Sequence, residues 1–338
     1  MMGQWQRTGF SWLPAAAFTV LALWAVCFLR PHFPASSFFS FPLPYWFPLT
    51  GFLVPFWALV FGYRRLSLVW LVAVLPLFLA ANIHLLRHDV YFLWLCLLTA
   101  SLAKEKQDLY NGLLLVMAGM YCWTGFQKMH PGFVDTMAPV LQKRMPPGLL
   151  TAEGARMSAL AIPISELLLG AACLTRFRRV RAVLGTLLHA GILFFLLYGK
   201  WNLSMVFWNI ALPGMLWLLP GFRIPREKRP FQSWWIPVFM AVLCPFLGFV
   251  SLWPGFASWN MYSARIKHYY LPVTEGTALH PPAYLRDHIY SKQGEYVVGM
   301  ATWCDAETGG SPCMEPVFRH KVWADAYAYI GNRPNPAE

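Results

Sequence analysis

Few residues in this chain have chemical capacity, and apolar sequence surrounds most of them. The run 112-GLLLVMAGM-120 leads into 121-YCWTGFQKMHPGF-133, which sets Lys128 among Trp123, Phe126, Gln127 and Met129. An amine partly desolvated by such neighbours is more readily neutral, and a neutral amine can take a proton. Glu166 lies near the middle of 158-SALAIPISELLLGAACL-174, His189 near the middle of 184-LGTLLHAGILFFLLY-198, and Asn209 inside 206-VFWNIAL-212. Asn82 and His84 come just before 87-RHD-89, which contains His88. Polar groups inside apolar helices are costly, so they face the interior of a bundle or a cavity.

Each has a plainer role to set against a chemical one. Glu166 and His189 are expected either to bond to each other and lock two helices or to form a deeper relay behind Lys128. Asn209 reads as cross-helix glue, since amides inside apolar bundles bond between helices. Asp89 reads as a helix cap. Arg87 and Lys200 read as side chains reaching for lipid headgroups, and Lys128 shares that reading. Cys27, Cys96, Cys122, Cys173 and Cys244 fall within apolar runs, where cysteine is a small buried hydrophobe. Cys304 and Cys313 fall in a polar segment and would close a short disulfide loop in an oxidising compartment. No metal site is expected, because neither the cysteines nor the histidines have ligand spacing.

The elements that must hold these residues are membrane helices. The chain has 338 residues, of which 57% are hydrophobic, 17% aromatic and 12% charged, with mean hydropathy +0.45. Soluble domains carry about 25% charged residues. The net charge of +12 is spread as single residues and short clusters between apolar runs. That pattern marks cytoplasmic loops and excludes a nucleic-acid partner. Nine candidate spans are predicted, at about 9–29, 45–62, 66–86, 90–103, 110–127, 158–175, 182–199, 203–220 and 234–253. No small-residue cleavage site follows the first, which is read as a retained span.

With a cytoplasmic N-terminus, the inside loops carry Arg7, Arg64, Arg65, Lys104, Lys106, Arg176, Arg178, Arg179, Arg181, Arg223, Arg226, Lys228 and Arg229. The outside loops carry Arg30, Arg87, Lys128, Lys143, Arg144, Arg156 and Lys200. Thirteen against seven is the positive-inside pattern for N-in, C-out. Lys128, His84, Arg87, His88, Asp89, Trp201 and Asn202 then reach the same outer side as the tail. Residues 1–253 are therefore read as an all-α polytopic bundle and residues 254–338 as a small β-rich extracytoplasmic cap. The cap reading rests on stretches such as 267-KHYYLPV-273 and 295-EYVVGMATW-303. Stretch 33–44 reads as an aromatic, proline-rich segment along the outer interface, and 128–157 as a long outer loop.

The stretch 121-YCWTGFQKMHPGFVDTMAP-139 resembles the Y-x-x-x-G-x-x-K-L-x-x-x-W/F motif of the vitamin K-dependent gamma-carboxylases and of their bacterial relatives, the HTTM (horizontally transferred transmembrane) proteins. The resemblance aligns Lys128 with the lysine that acts there as base toward vitamin K hydroquinone. It aligns Gly125 with the small residue three before it. The run 87-RHDVYFL-93 resembles their N-H-x-Y-L stretch, with Arg87 in place of the asparagine, and it aligns His88 with a functional histidine. The runs 165-SELLLG-170, 188-LHAGILFFLLYGKWN-202 and 259-WNMYS-263 resemble later parts of the bacterial pattern. The likeness covers about residues 85–265. The large luminal β-domain of the carboxylases, which would hold a peptide, has only a far smaller counterpart here.

Two readings follow. In the first the protein is an enzyme of quinol-dependent oxygenase or carboxylase-like lyase type. A quinone or quinol enters from the bilayer, Lys128 takes its proton, and His88 donates to the developing oxyanion. Glu166, His189, His84, Asn209, Trp123 and Gln127 form the pocket and relay. In the second it is a non-catalytic scaffold, assembly or maturation partner, docking a membrane or periplasmic protein through the cap. The expected location is a bacterial inner membrane.

Overall fold

The computed structural model describes residues 51–80, 88–199, 205–223, 235–250, 252, 270–272, 289–292 and 295–299. The first candidate span, the interfacial stretch 33–44, Asn82, His84, Arg87, Trp201, Asn202, Cys304 and Cys313 lie outside the described residues.

Ten α-helices occur among the described residues. They are α1 (Leu53–Val60), α2 (Arg64–Val69), α3 (Leu75–Ala80), α4 (His88–Leu102), α5 (Lys106–Lys128), α6 (Pro131–Arg144), α7 (Ala152–Cys173), α8 (Arg178–Tyr198), α9 (Val206–Leu218) and α10 (Trp235–Val242). A π turn, Trp70–Val74, joins α2 to α3. The Trp94 indole donates to the Leu71 carbonyl in that turn at 2.9 Å. Three strands, β1 (Tyr270–Pro272), β2 (Ile289–Lys292) and β3 (Glu295–Gly299), form an antiparallel sheet in the order β1-β3-β2. Leu271 pairs with Val298 and Tyr290 with Val297.

Helix α5 is the centre of the bundle. Its Leu114, Val116, Met117 and Met120 are almost wholly buried, and apolar or small residues on nearly every side suit a helix packed all round. Helices α7 and α10 pack directly on α5, α8 packs on α9, and α6 on α7. The crossing of α5 with α7 is close because glycine lines both sides. A Cβ on Gly125 would lie 2.7 Å from the Pro163 carbonyl oxygen, and one on Gly170 would lie 3.0 Å from the Cys122 backbone nitrogen. Small residues of this kind let helix backbones approach closely.

Hydrogen bonds close the two ends of the bundle. At one end Arg144, last in α6, donates to the Gly199 carbonyl just beyond α8 at 2.9 Å. At the other, Arg181 is fully buried, and its Nη2 donates to the carbonyls of Leu216 and Leu219 at 3.1 and 2.6 Å. The guanidinium thus serves the unpaired carbonyls at the C-terminal end of α9. The Asn111 amide brackets Arg223, donating to its carbonyl at 2.7 Å and accepting from its N–H at 3.3 Å. The Phe222 N–H donates to Thr175 O at 3.0 Å.

Helices α7 and α8 are long and apolar enough, by length and composition, to cross a membrane. Their outward faces are apolar too, with Leu168, Leu187 and Leu197 more than half exposed. Segment 128–157, expected as a loop, contains helix α6. Pro131 occupies its first turn, where the missing N–H costs nothing. Phe133, Ala138 and Leu141 bury one face of it against the bundle.

Candidate functional site

Lys128 is the last residue of α5, and Thr151 caps the N-terminus of α7 by accepting from Gly154 N at 3.0 Å. The two helices run in opposite directions, and helical side chains lean toward their own N-terminus. The Lys128 stem therefore runs back along α5, while Glu166 on α7 leans toward the Lys128 end. They meet inside the crossing opened by Gly125, with Nζ 2.5 Å from Oε1 and side chains only 5% and 8% exposed. The second carboxylate oxygen, Glu166 Oε2, is buried, and the Thr124 hydroxyl on α5 also bonds to the Glu166 carboxylate.

One turn deeper on the same face of α5 are Thr124 and Tyr121, both buried. Thr124 Oγ1 donates to the Tyr121 carbonyl at 3.1 Å. The Tyr121 hydroxyl lies 2.7 Å from His189 Nε2, and His189 Nδ1 lies 2.6 Å from Asn209 Oδ1. Asn209 Nδ2 donates to Met205 O at 2.8 Å. These contacts fix every direction in the chain. A backbone carbonyl only accepts, so the amide nitrogen must face Met205 and the amide oxygen must face His189. His189 Nδ1 then carries the proton. In the neutral imidazole Nε2 holds the lone pair, and the Tyr121 O–H donates to it.

The residues read from the sequence are distributed as follows. Glu166, His189 and Asn209 are all buried in the bundle. Glu166 and His189 do not bond to each other, because Glu166 pairs with Lys128 while His189 is held by Tyr121 and Asn209. Lys128 does not reach for headgroups, and the aromatics beside it in sequence are not what buries it. Phe126 and Met129 are 54% and 47% exposed, so the lysine is desolvated by the α5–α7 crossing instead. Trp123 donates to Val242 O at 2.7 Å and packs edge-on against Phe126. Gln127 is buried. His88 opens α4 and is half-buried, beside the buried Asp89. Cys96, Cys122, Cys173 and Cys244 are free thiols. No cluster of three or more metal-ligating side chains occurs among the described residues.

Sequence reasoning missed Tyr121 and Thr124. The signal was available, because positions 121, 124 and 128 share one face of a helix.

The pair can do both halves of a proton exchange. The ammonium has N–H groups beyond the one given to Oε1, and Oε2 has free lone pairs. No family model, no curated protein and no solved structure matches this chain.

Proposed function

We propose that the protein is an integral membrane enzyme of the HTTM and gamma-carboxylase-like type, with nine spans, a cytoplasmic N-terminus and an outward-facing site that handles the proton of a lipophilic quinol. The observation that carries this reading is the Lys128–Glu166 pair. An ion pair inside an apolar helix bundle is expensive to bury, and such residues mark proton or ligand sites. The amine becomes a base when its proton passes along the hydrogen bond to Glu166. It then takes the hydroxyl proton of the quinol.

The test is native mass spectrometry of the protein in mild detergent, comparing wild type with Lys128→Ala. A bound quinone that is lost from the variant supports the reading. No bound small molecule, or one indifferent to Lys128, sinks it.

A second reading has one observation of its own. The pair sits at the glycine-lined crossing, where it would fix the register of α5 against α7. On that reading the protein is a scaffold or maturation partner, docking through its C-terminal segment. Cysteine-accessibility labelling of positions in 254–338 from either side of the membrane tests the outward placement that both readings share.

A further inference from the structure

We propose that the end of the bundle away from Lys128 binds an anionic phospholipid, with its phosphate at Arg176, Arg179 and Arg223 and its acyl chains along α8. A lipid here needs only that α7 and α8, which are long and apolar enough to cross a membrane, do so. It does not depend on the quinol site.

Two separate stretches of chain meet at this end. The Phe222 N–H donates to Thr175 O at 3.0 Å, and Gly221 comes so close to Arg176 that a Cβ on the glycine would clash with the Arg176 carbonyl. This contact brings Arg223, which follows α9, to the turn that holds Arg176 and leads into α8. Arg178 and Arg181 are already committed, donating to carbonyls at the end of α9. Arg176, Arg179 and Arg223 are exposed, and none of their guanidinium groups is in an ion pair or a hydrogen bond.

The neighbouring chain supplies no counter-charge. No Asp or Glu occurs between Glu166 and Glu227, a stretch that holds six arginines. The first turn of α8 has no acidic residue either, although the positive end of its helix dipole favours an anion there. Asp108, one turn before Asn111 on α5, is buried, whereas these three guanidinium groups face outward. Like charges gathered without a partner repel one another, and an anion between them relieves that repulsion.

The kind of anion follows from what adjoins the arginines. Phe177, Val180, Val183 and Leu187 continue from them along α8 at helical spacing, and all four are exposed. A free phosphate uses none of that apolar surface. A phospholipid uses both parts, with phosphate oxygens on the guanidinium forks and chains on the stripe. Basic groups at the ends of membrane helices bind anionic headgroups in this way.

The experiment is native mass spectrometry of the full chain in mild detergent, titrated with dioleoyl phosphatidylglycerol or dioleoyl phosphatidylcholine. The two lipids share their chains and differ in net charge. Wild type should bind phosphatidylglycerol at least about tenfold more tightly, since each basic side chain near an anionic headgroup contributes about fivefold. Arg176→Gln/Arg179→Gln should lower that preference at least about fivefold; both residues are exposed, so the fold is kept. Lys143→Gln/Arg156→Gln removes the same charge near the Lys128 end and should leave the preference within about twofold of wild type. Glycerol phosphate alone should bind at least about tenfold more weakly than phosphatidylglycerol.

A smaller fall in the arginine variant, or an equal fall in the Lys143/Arg156 variant, overturns the proposal. So does glycerol phosphate that binds as well as the lipid, which would make this a site for soluble phosphate. Equal binding of the two lipids by wild type also overturns it and leaves the basic corner to an acidic protein.

Discussion

Removing one member of the Lys128–Glu166 pair should give a stability loss whose pH dependence reveals which charge was left behind. Lys128→Met strands a carboxylate that is 6% exposed, and breaking a buried pair on one side costs about 3–5 kcal/mol. The stranded group has an escape, which is to fold with a proton bound. For a carboxylate with an ordinary pKa of about 4.3, that costs about 1.36 × (7 − 4.3), or about 3.7 kcal/mol at pH 7. The same product at pH 5 is about 1 kcal/mol. The sign follows from linkage. The folded variant holds one more proton than the unfolded chain above pH 4.3, so its stability falls as pH rises.

Glu166→Gln strands the amine, which folds by losing a proton. For an ordinary lysine pKa of about 10.4, the escape costs about 4.6 kcal/mol at pH 7 and about 1.9 kcal/mol at pH 9. Here the unfolded chain holds the extra proton, and stability rises with pH. The two single variants should therefore slope in opposite directions between pH 5 and pH 9. The double variant Lys128→Met/Glu166→Gln should show neither slope and should sit within about 1.5 kcal/mol of wild type, since replacing a whole buried pair is often near neutral. The assay is equilibrium unfolding in mixed micelles, followed by tryptophan fluorescence across that pH range. Two flat profiles, or single-variant losses below about 1 kcal/mol that add in the double variant, would refute the reasoning that the pair is desolvated and coupled.

Three further outcomes follow from the packing and the hydrogen bonds. Gly125→Ala places a methyl 2.7 Å from Pro163 O, so it should cost about 1–3 kcal/mol in the same unfolding assay, with Gly125→Val costing more. Arg181→Lys should destabilise by about 1–3 kcal/mol, because one ammonium cannot reach the Leu216, Leu219 and Pro220 carbonyls that the guanidinium fork serves together. Asn209→Leu leaves the His189 Nδ1–H without an acceptor and should cost about 1–3 kcal/mol, whereas adding His189→Leu should recover part of that loss.

The helical character of the chain and three of its interior polar residues were legible from the sequence. Glu166, His189 and Asn209 stood out because an apolar run makes any polar residue conspicuous, and all three are buried in the bundle. Their partners were not legible. Which side chains meet depends on how each helix is rotated about its axis, and that rotation is set by contacts such as Gly125 against Pro163. Tyr121 escaped notice for a related reason, since tyrosine is unremarkable in a chain that is 17% aromatic. Helix α6 escaped for another. Its apolar positions, Phe133, Val134, Met137, Ala138 and Leu141, have helical spacing, but the segment falls between two predicted spans and was read as the long loop joining them. The burial of Lys128 was anticipated for the wrong cause, because neighbours in sequence on a helix point in different directions.

The Tyr121–His189–Asn209 chain sets a limit on traffic. A row of hydrogen bonds passes protons along only if its far end can accept one and give one up. This row terminates on the Met205 carbonyl, a group with nothing to release, and the Asn209 amide before it cannot turn over without facing oxygen to oxygen. The row is a cul-de-sac, able to hold Tyr121 still but unable to drain charge inward.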